Sequence, residues 1–195
     1  MTTTDTDRRH ALVFFALALV VLAAGFGLRD PWPADEPRFV LVAKQMVESG
    51  DFLFPHRGQE LYPDKPPVYF WLLSAAFGLV GSWRWSFLLP SLLSAMGTLA
   101  LTWDLGRRLW SPRAGLWAAI AVAVALQFVY QGKRAQIDPT LVFMTTLSFY
   151  GLCRHLLLGP HWRWWLAGCF MAGLGVVTKG VGFLPLLALL PFAFF

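Results

Sequence analysis

PVYFWLLSAAFGLVG, from Pro67 to Gly81, is the stretch on which the fold turns. It is apolar throughout, yet it lies near the lower limit for a bilayer span and reads more readily as an interfacial or re-entrant segment. Every apolar run that follows changes sides according to whether this one crosses. Upstream, Arg29 to Pro66 is polar and holds most of the acidic residues, namely Asp30, Asp35, Glu36, Glu48, Asp51, Glu60 and Asp64. Further upstream, Ala11 to Leu28 carries no charge and is long enough to cross the hydrocarbon. A cleaved leader would need small residues before a polar stretch, and Gly25-Phe26-Gly27-Leu28 supplies a poor cleavage site, so an anchored helix is expected.

Downstream come Trp85 to Trp103, Ala114 to Tyr130, Pro139 to Cys153, Trp164 to Val177 and Val181 to Phe195, five further candidate spans. The predicted fold is an all-α polytopic membrane protein with about six transmembrane helices. A long first outer loop, residues 29–84, carries amphipathic interfacial helices. Composition agrees, because 57% of the 195 residues are hydrophobic and 14% are charged, and a soluble domain of that make-up would aggregate. The final run closes on Phe192-Ala193-Phe194-Phe195 with no polar residue, so residues 1–195 are expected to be the N-terminal part of a longer transmembrane domain. Cys153 and Cys169 sit in apolar runs with no paired or metal-ligand spacing. The net charge of +5 has no basic helix or aromatic–basic alternation behind it, which argues against a nucleic-acid partner.

Within the outer loop, Asp35-Glu36-Pro37 predicts a helix start, with Asp35 as N-cap, Pro37 in the first turn and Gly50 as terminator. Phe39, Val40, Ala43, Met46 and Val47 recur at helical spacing, as in an amphipathic helix on a membrane surface. If Pro67 to Gly81 does not cross, one face receives Arg8, Arg9, Arg107, Arg108, Arg113, Arg154 and Arg163, as expected of a cytoplasmic side. The other receives Asp35-Glu36, Pro63-Asp64-Lys65-Pro66-Pro67, Lys133-Arg134 with Asp138-Pro139, and Thr178-Lys179-Gly180. If it does cross, Asp138 and Lys179 lie across the bilayer from Asp35. The clustering of polar motifs favours the first arrangement.

Taken in order, Asp35-Glu36-Pro37-Arg38-Phe39, Glu48-Ser49-Gly50-Asp51-Phe52, Tyr62-Pro63-Asp64-Lys65-Pro66-Pro67, Gln136-Ile137-Asp138-Pro139 and Thr178-Lys179-Gly180 carry a resemblance. Their order and spacing resemble the polytopic C-type glycosyltransferases, in particular bacterial relatives of the protein O-mannosyltransferases and of the aminoarabinose transferase that modifies lipid A. The resemblance covers nearly the whole chain. It implies sugar transfer from a polyprenyl-phosphate carrier to a lipid, protein or glycan acceptor, at the periplasmic face of a bacterial inner membrane.

On that footing each residue has an expected role and an ordinary alternative. Asp35 is the expected catalytic carboxylate, organising or taking the acceptor's proton, against a simple helix cap. Asp138 is a second carboxylate, against capping of the helix that Pro139 begins. Lys65, Lys179 and Arg134 are expected to bind the donor phosphate, although Arg134 matches no position in the family pattern. The rival for Lys65 is a headgroup-binding loop lysine, and for Lys179 a snorkelling helix-end lysine. Glu36, Arg38 and Asp64 support the site. The metal requirement is left open, because Asp64 and His56 in one loop are only two scattered ligands. His155 and His161 read as headgroup contacts, and Trp83, Trp85, Trp162, Trp164 and Trp165 as interfacial anchors. Two other classes compete: a transporter or flippase of lipid-linked sugars, and a non-catalytic membrane assembly subunit.

Overall fold

The structure, a computed structural model, describes residues 3–193. Among these the regular secondary structure is helical apart from one small hairpin. Helix α1 is Thr3–Ala23, α2 Asp35–Ser49, α3 Val68–Val80, α4 Trp83–Ser86 and α5 Leu89–Leu109. Then follow α6 Pro112–Ala123, α7 Leu126–Gly132, α8 Ile137–Leu157, α9 Trp162–Thr178, a 3₁₀ helix at Gly180–Leu189 and α10 Leu190–Ala193. Strands β1 (His56–Arg57) and β2 (Glu60–Leu61) pair antiparallel between α2 and α3.

Helix α3 is 13 residues long, about 20 Å at 1.5 Å per residue, well short of a hydrocarbon core of about 30 Å. It packs on α2 instead. The apolar stripe of α2, with Phe39, Val42, Ala43 and Met46 buried, meets Tyr69, Phe70 and Leu73 of α3, and Tyr62 and Ile137 complete the cluster. Phe39 lies edge-on to Tyr69 with centroids 5.7 Å apart, and Tyr62 edge-on to Phe70 at 6.0 Å. The helical spacing of that stripe therefore serves a protein contact, where a membrane surface was expected. Gly50 ends α2 in the left-handed conformation (φ 73°), its N–H donating to the Met46 carbonyl.

Four other expectations change. Asp35 is the first residue of α2 and not its cap; Ala34, whose methyl cannot accept a hydrogen bond, holds the cap position, and the Asp35 carboxylate turns to Arg38 and Gln136. The run Ala114 to Tyr130 is broken, α6 and α7 meeting at 72°. The bend lays Phe128 against the cluster of Leu22, Leu92, Ala95 and Leu99, and that packing outweighs the helical propensity of an uninterrupted apolar run. In the run Val181 to Phe195, the tighter 3₁₀ geometry contains Pro185, which has no N–H for an α-helical ladder; Phe194 and Phe195 lie outside the described residues. The first apolar run also stops being helical at Ala23, five residues before Leu28. By length and hydropathy one unit among the described residues, Trp83–Leu109 with 27 residues, is able to cross a bilayer alone, and α6 with α7 makes a second if the bent pair is one span.

Helices α5, α6, α8 and α9 form the bundle. Ser111 caps α6 by accepting from the Ala114 N–H at 3.1 Å, with Pro112 in the first turn, so the chain reverses tightly between α5 and α6. The two helices then approach so closely that a Cβ on Gly106 would stand 2.7 Å from the Gly115 Cα. Small residues at such crossings are what bilayer helices use to bring backbones together. Gly106→Val should lower stability by about 1–3 kcal/mol, read as a fall in the thermal unfolding midpoint in detergent. An unchanged midpoint would remove this contact from the fold's support.

Candidate functional site

The polar segments meet at the end of the bundle where α8 begins and α9 ends. Behind the site lies Glu36, the second residue of α2, with no side-chain exposure. Its carboxylate accepts from both Nη atoms of Arg29 at 2.6 and 2.9 Å, from the Trp32 N–H at 2.6 Å and from the Ala135 N–H at 2.9 Å. Arg134 Nε stands 3.9 Å away. Arg29 also donates to the Lys133 carbonyl at 2.9 Å and lies over the Phe87 ring. One buried carboxylate thus ties the start of the polar segment that follows the first apolar run, the start of α2 and the segment leading into α8. Burial pushes the Glu36 carboxyl upward, but the Arg29 guanidinium and the two backbone N–H groups outweigh it and hold the group below its ordinary value.

In front of this tie is a cleft of about 390 Å³, and Asp35, Arg38, Asp64, Lys65, Asp138 and Lys179 all line it. Their positions follow from local structure. Asp35 and Arg38 stand one turn apart on α2 and are ion-paired, while Gln136 Nε2 reaches the other Asp35 oxygen at 3.5 Å. Pro63, Pro66 and Pro67 bracket Asp64 and Lys65 and fix their backbone direction just before α3. Asp138 opens α8, and Lys179 follows the last residue of α9; the antiparallel packing of these helices brings Lys179 Nζ to 2.5 Å from Asp138 Oδ1.

Three carboxylates and three cations therefore face one space, but they are not equivalent. Asp35 is held by Arg38, and Asp138 by Lys179. Lys65, half-buried, makes no ion pair among the described residues. Arg38 Nε is buried without a hydrogen-bond partner. Beside this cleft a second hollow of about 390 Å³ runs between α5, α7 and α8, lined by Ala95, Phe128, Pro139 and Val142 with Gln127 and Gln131. Asp138 lines both spaces.

Of the residues given a catalytic, phosphate-binding or supporting role from sequence, two stand apart from the cleft wall. Glu36 is the buried tie, and Arg134 turns to the Tyr130 hydroxyl and the Pro33 carbonyl. His56 lies in a separate hollow with Glu48 and Asp51, away from Asp64. Among the described residues no group of three or more His, Cys, Asp or Glu is placed to hold a metal ion. Sequence reasoning missed Arg29 and gave Gln136 no role. The signal for Arg29 was a lone arginine closing an uncharged run seven residues before a glutamate.

Fold and site together define a helical protein with a charged cleft at one end of its bundle. The sequence model described as dolichyl-phosphate-mannose-protein mannosyltransferase matches residues 64–195, and the chain belongs to that family. It is 29% identical over 188 residues to the undecaprenyl phosphate-alpha-4-amino-4-deoxy-L-arabinose arabinosyl transferase of Pseudomonas aeruginosa, covering 93% of this chain and 34% of that one. The protein of the same description from Pectobacterium carotovorum is 29% identical over 193 residues. The crystal structure of ArnT from Cupriavidus metallidurans in the apo state superposes with a TM-score of 0.85 at 25% identity, covering 94% of this chain and 35% of that one. A structure of that protein bound to undecaprenyl phosphate superposes with a TM-score of 0.82 at 24% identity. The chain spans about a third of the length of the curated relatives it matches.

Proposed function

We propose that the complete protein is a glycosyltransferase that moves a sugar, in the first instance a pentose, from a polyprenyl-phosphate donor to an acceptor at the outer face of a bacterial inner membrane. The observation that carries this reading is the convergence of Asp35, Lys65, Asp138 and Lys179, from four separate segments, on one cleft. The names of the relatives supply the donor class. The apolar hollow that shares Asp138 offers lipid-compatible surface next to the cations. In this reading α3 lies along the membrane surface within the first outer loop, residues 29–84, and the six apolar runs form the membrane domain of residues 1–195.

The chemistry is a displacement at the sugar's anomeric carbon. The acceptor oxygen forms the new bond, the carbon–oxygen bond to the donor phosphate breaks, and the phosphate leaves with the electron pair. Asp35, oriented by Arg38 and Gln136, takes the proton of a hydroxyl acceptor or organises that of a phosphate acceptor. Lys65 neutralises charge that develops on the leaving phosphate, and Lys179 does the same while Asp138 fixes its position. Glu36 and Arg134 hold the segments that carry these groups, and Asp64 faces the same space. The six apolar runs hold no charge at their middles and the polar motifs lie beyond their ends, which supports interfacial chemistry over transport of a lipid-linked sugar.

The test uses the full-length protein with undecaprenyl-phosphate-linked aminoarabinose or hexose donors and lipid A, peptide or glycan acceptors. Transfer by the wild type, reduced about 10²-fold in Lys65→Ala, is the expected result. No transfer to any acceptor class would sink the reading. Single cysteines at positions 64, 138 and 179 should all react with an impermeant thiol reagent added from the same side of sealed vesicles, and labelling from opposite sides would break up the site.

A further inference from the structure

The end of the bundle remote from the cleft carries a second charged assembly, to which the proposed transfer gives no part. Asp104, near the end of α5 and 17% exposed, accepts from Arg107 Nε at 2.7 Å, from Arg108 Nε at 2.5 Å and from the Tyr150 hydroxyl at 2.5 Å. Arg154 Nη1 donates to that hydroxyl at 2.7 Å, which brings the ends of α5 and α8 together. Aromatic rings fix the guanidinium groups: Arg107 lies 4.5 Å from the Trp103 ring centroid and Arg154 4.9 Å from that of Trp164 at the start of α9. Three arginines and one bonded carboxylate leave two positive charges unmatched within the cluster. Arg154 Nε is buried with no hydrogen-bond partner.

Position along the helix decides what such a cluster can meet. Arg154 lies sixteen residues beyond Asp138 on α8, roughly 24 Å at 1.5 Å per residue, which places it near the opposite headgroup layer from the cleft. The indoles of Trp110, Trp117 and Trp162, each more than half exposed, stand on the elements around it, as side chains of a membrane–water boundary do. A pre-set guanidinium fork matches two oxygens of a phosphodiester, and it does so without further ordering of the side chain.

We infer that Arg107, Arg108 and Arg154, held by Asp104, Tyr150 and the two indoles, form a binding site for the phosphodiester headgroup of an anionic phospholipid in the leaflet opposite the cleft. The inference rests on the membrane reading of the chain and not on sugar transfer. The site takes phosphatidylglycerol-type lipids and passes over zwitterionic ones, whose ammonium group repels the arginines. Lipid held there braces α5 against α8 and so steadies the helix whose first turn carries Asp138.

The experiment reconstitutes the full-length protein in phosphatidylcholine with and without phosphatidylglycerol, and reads lipid retained in native mass spectra together with the thermal midpoint. Phosphatidylglycerol should be retained and should raise the midpoint. Arg108→Gln should weaken that retention roughly fivefold. Arg154→Lys keeps the charge and removes the fork, and should also weaken it. Arg163→Gln, an equal loss of charge at an exposed residue of the same end, should leave it unchanged. Equal losses in all three variants would show diffuse surface attraction and overturn the site. Full competition by inorganic phosphate would overturn the lipid assignment.

Discussion

Asp35→Asn is expected to lower sugar transfer by the full-length protein about 10²–10⁴-fold while leaving its thermal midpoint and its affinity for polyprenyl phosphate unchanged. The asymmetry follows from where the side chain sits. Asp35 is 40% exposed in its side chain, and its partner Arg38 is 29% exposed. A half-exposed pair of this kind contributes about 1 kcal/mol or less to stability, so the amide costs the fold little. Gln136 and Arg38 are placed to orient the carboxylate, and the amide keeps its shape while removing its basicity. The donor phosphate, on the proposed reading, is met by Lys65 and Lys179, which the substitution does not touch. Normal turnover by the variant would take Asp35 out of the mechanism. Lost turnover with a lowered midpoint would mark it as structural.

Its neighbour should behave in the opposite way. Glu36→Ala should destabilise the protein by about 3–5 kcal/mol, because it leaves a guanidinium that is only 22% exposed without its counter-charge. The Trp32 and Ala135 N–H groups lose their acceptor in the same step. The carboxyl is held below its ordinary value in the folded state. Its contribution is therefore present above the unfolded-state pKa of about 4.3 and is lost as the pH falls through the lower folded value. Thermal midpoints followed from neutral to acid pH should show that loss in the wild type and not in Glu36→Ala. Parallel acid profiles for the two proteins would refute the role assigned to Glu36. Adjacent acidic residues thus separate cleanly, one expected to govern rate and the other stability.

That division is also where reading the sequence ran out. Asp35-Glu36-Pro37 announced a helix start, and a helix does start there, but capping chemistry alone assigned the cap to Asp35. Which carboxylate goes inward depends on Arg29, seven residues upstream, and on the Ala135 N–H, ninety-nine residues away. No local pattern records either. Helical existence was legible for the long apolar runs because apolar length and proline starts are local signals. The bend between α6 and α7 was not, since neither proline nor glycine marks Val124-Ala125 and the turn depends on Phe128 finding the Leu22 and Leu99 cluster. For the cleft, the motifs could be named from sequence, while the pairing of Lys179 with Asp138 needed the register of α8 against α9.

The bend itself sets a condition on whatever surrounds this part of the molecule. At 72° the helical ladder is interrupted, and carbonyl groups at the end of α6 lose the partners a continuous helix would give them. Val124 and Leu126 on either side are among the most exposed apolar side chains, at 73% and 85%. Hydrocarbon accepts those side chains readily but offers no hydrogen-bond donor to the freed carbonyls. On the proposed membrane reading, the elbow must therefore be solvated by another polypeptide segment or by water entering from the cleft end. A wet or protein-covered notch in an otherwise greasy wall is the feature to look for in the complete assembly.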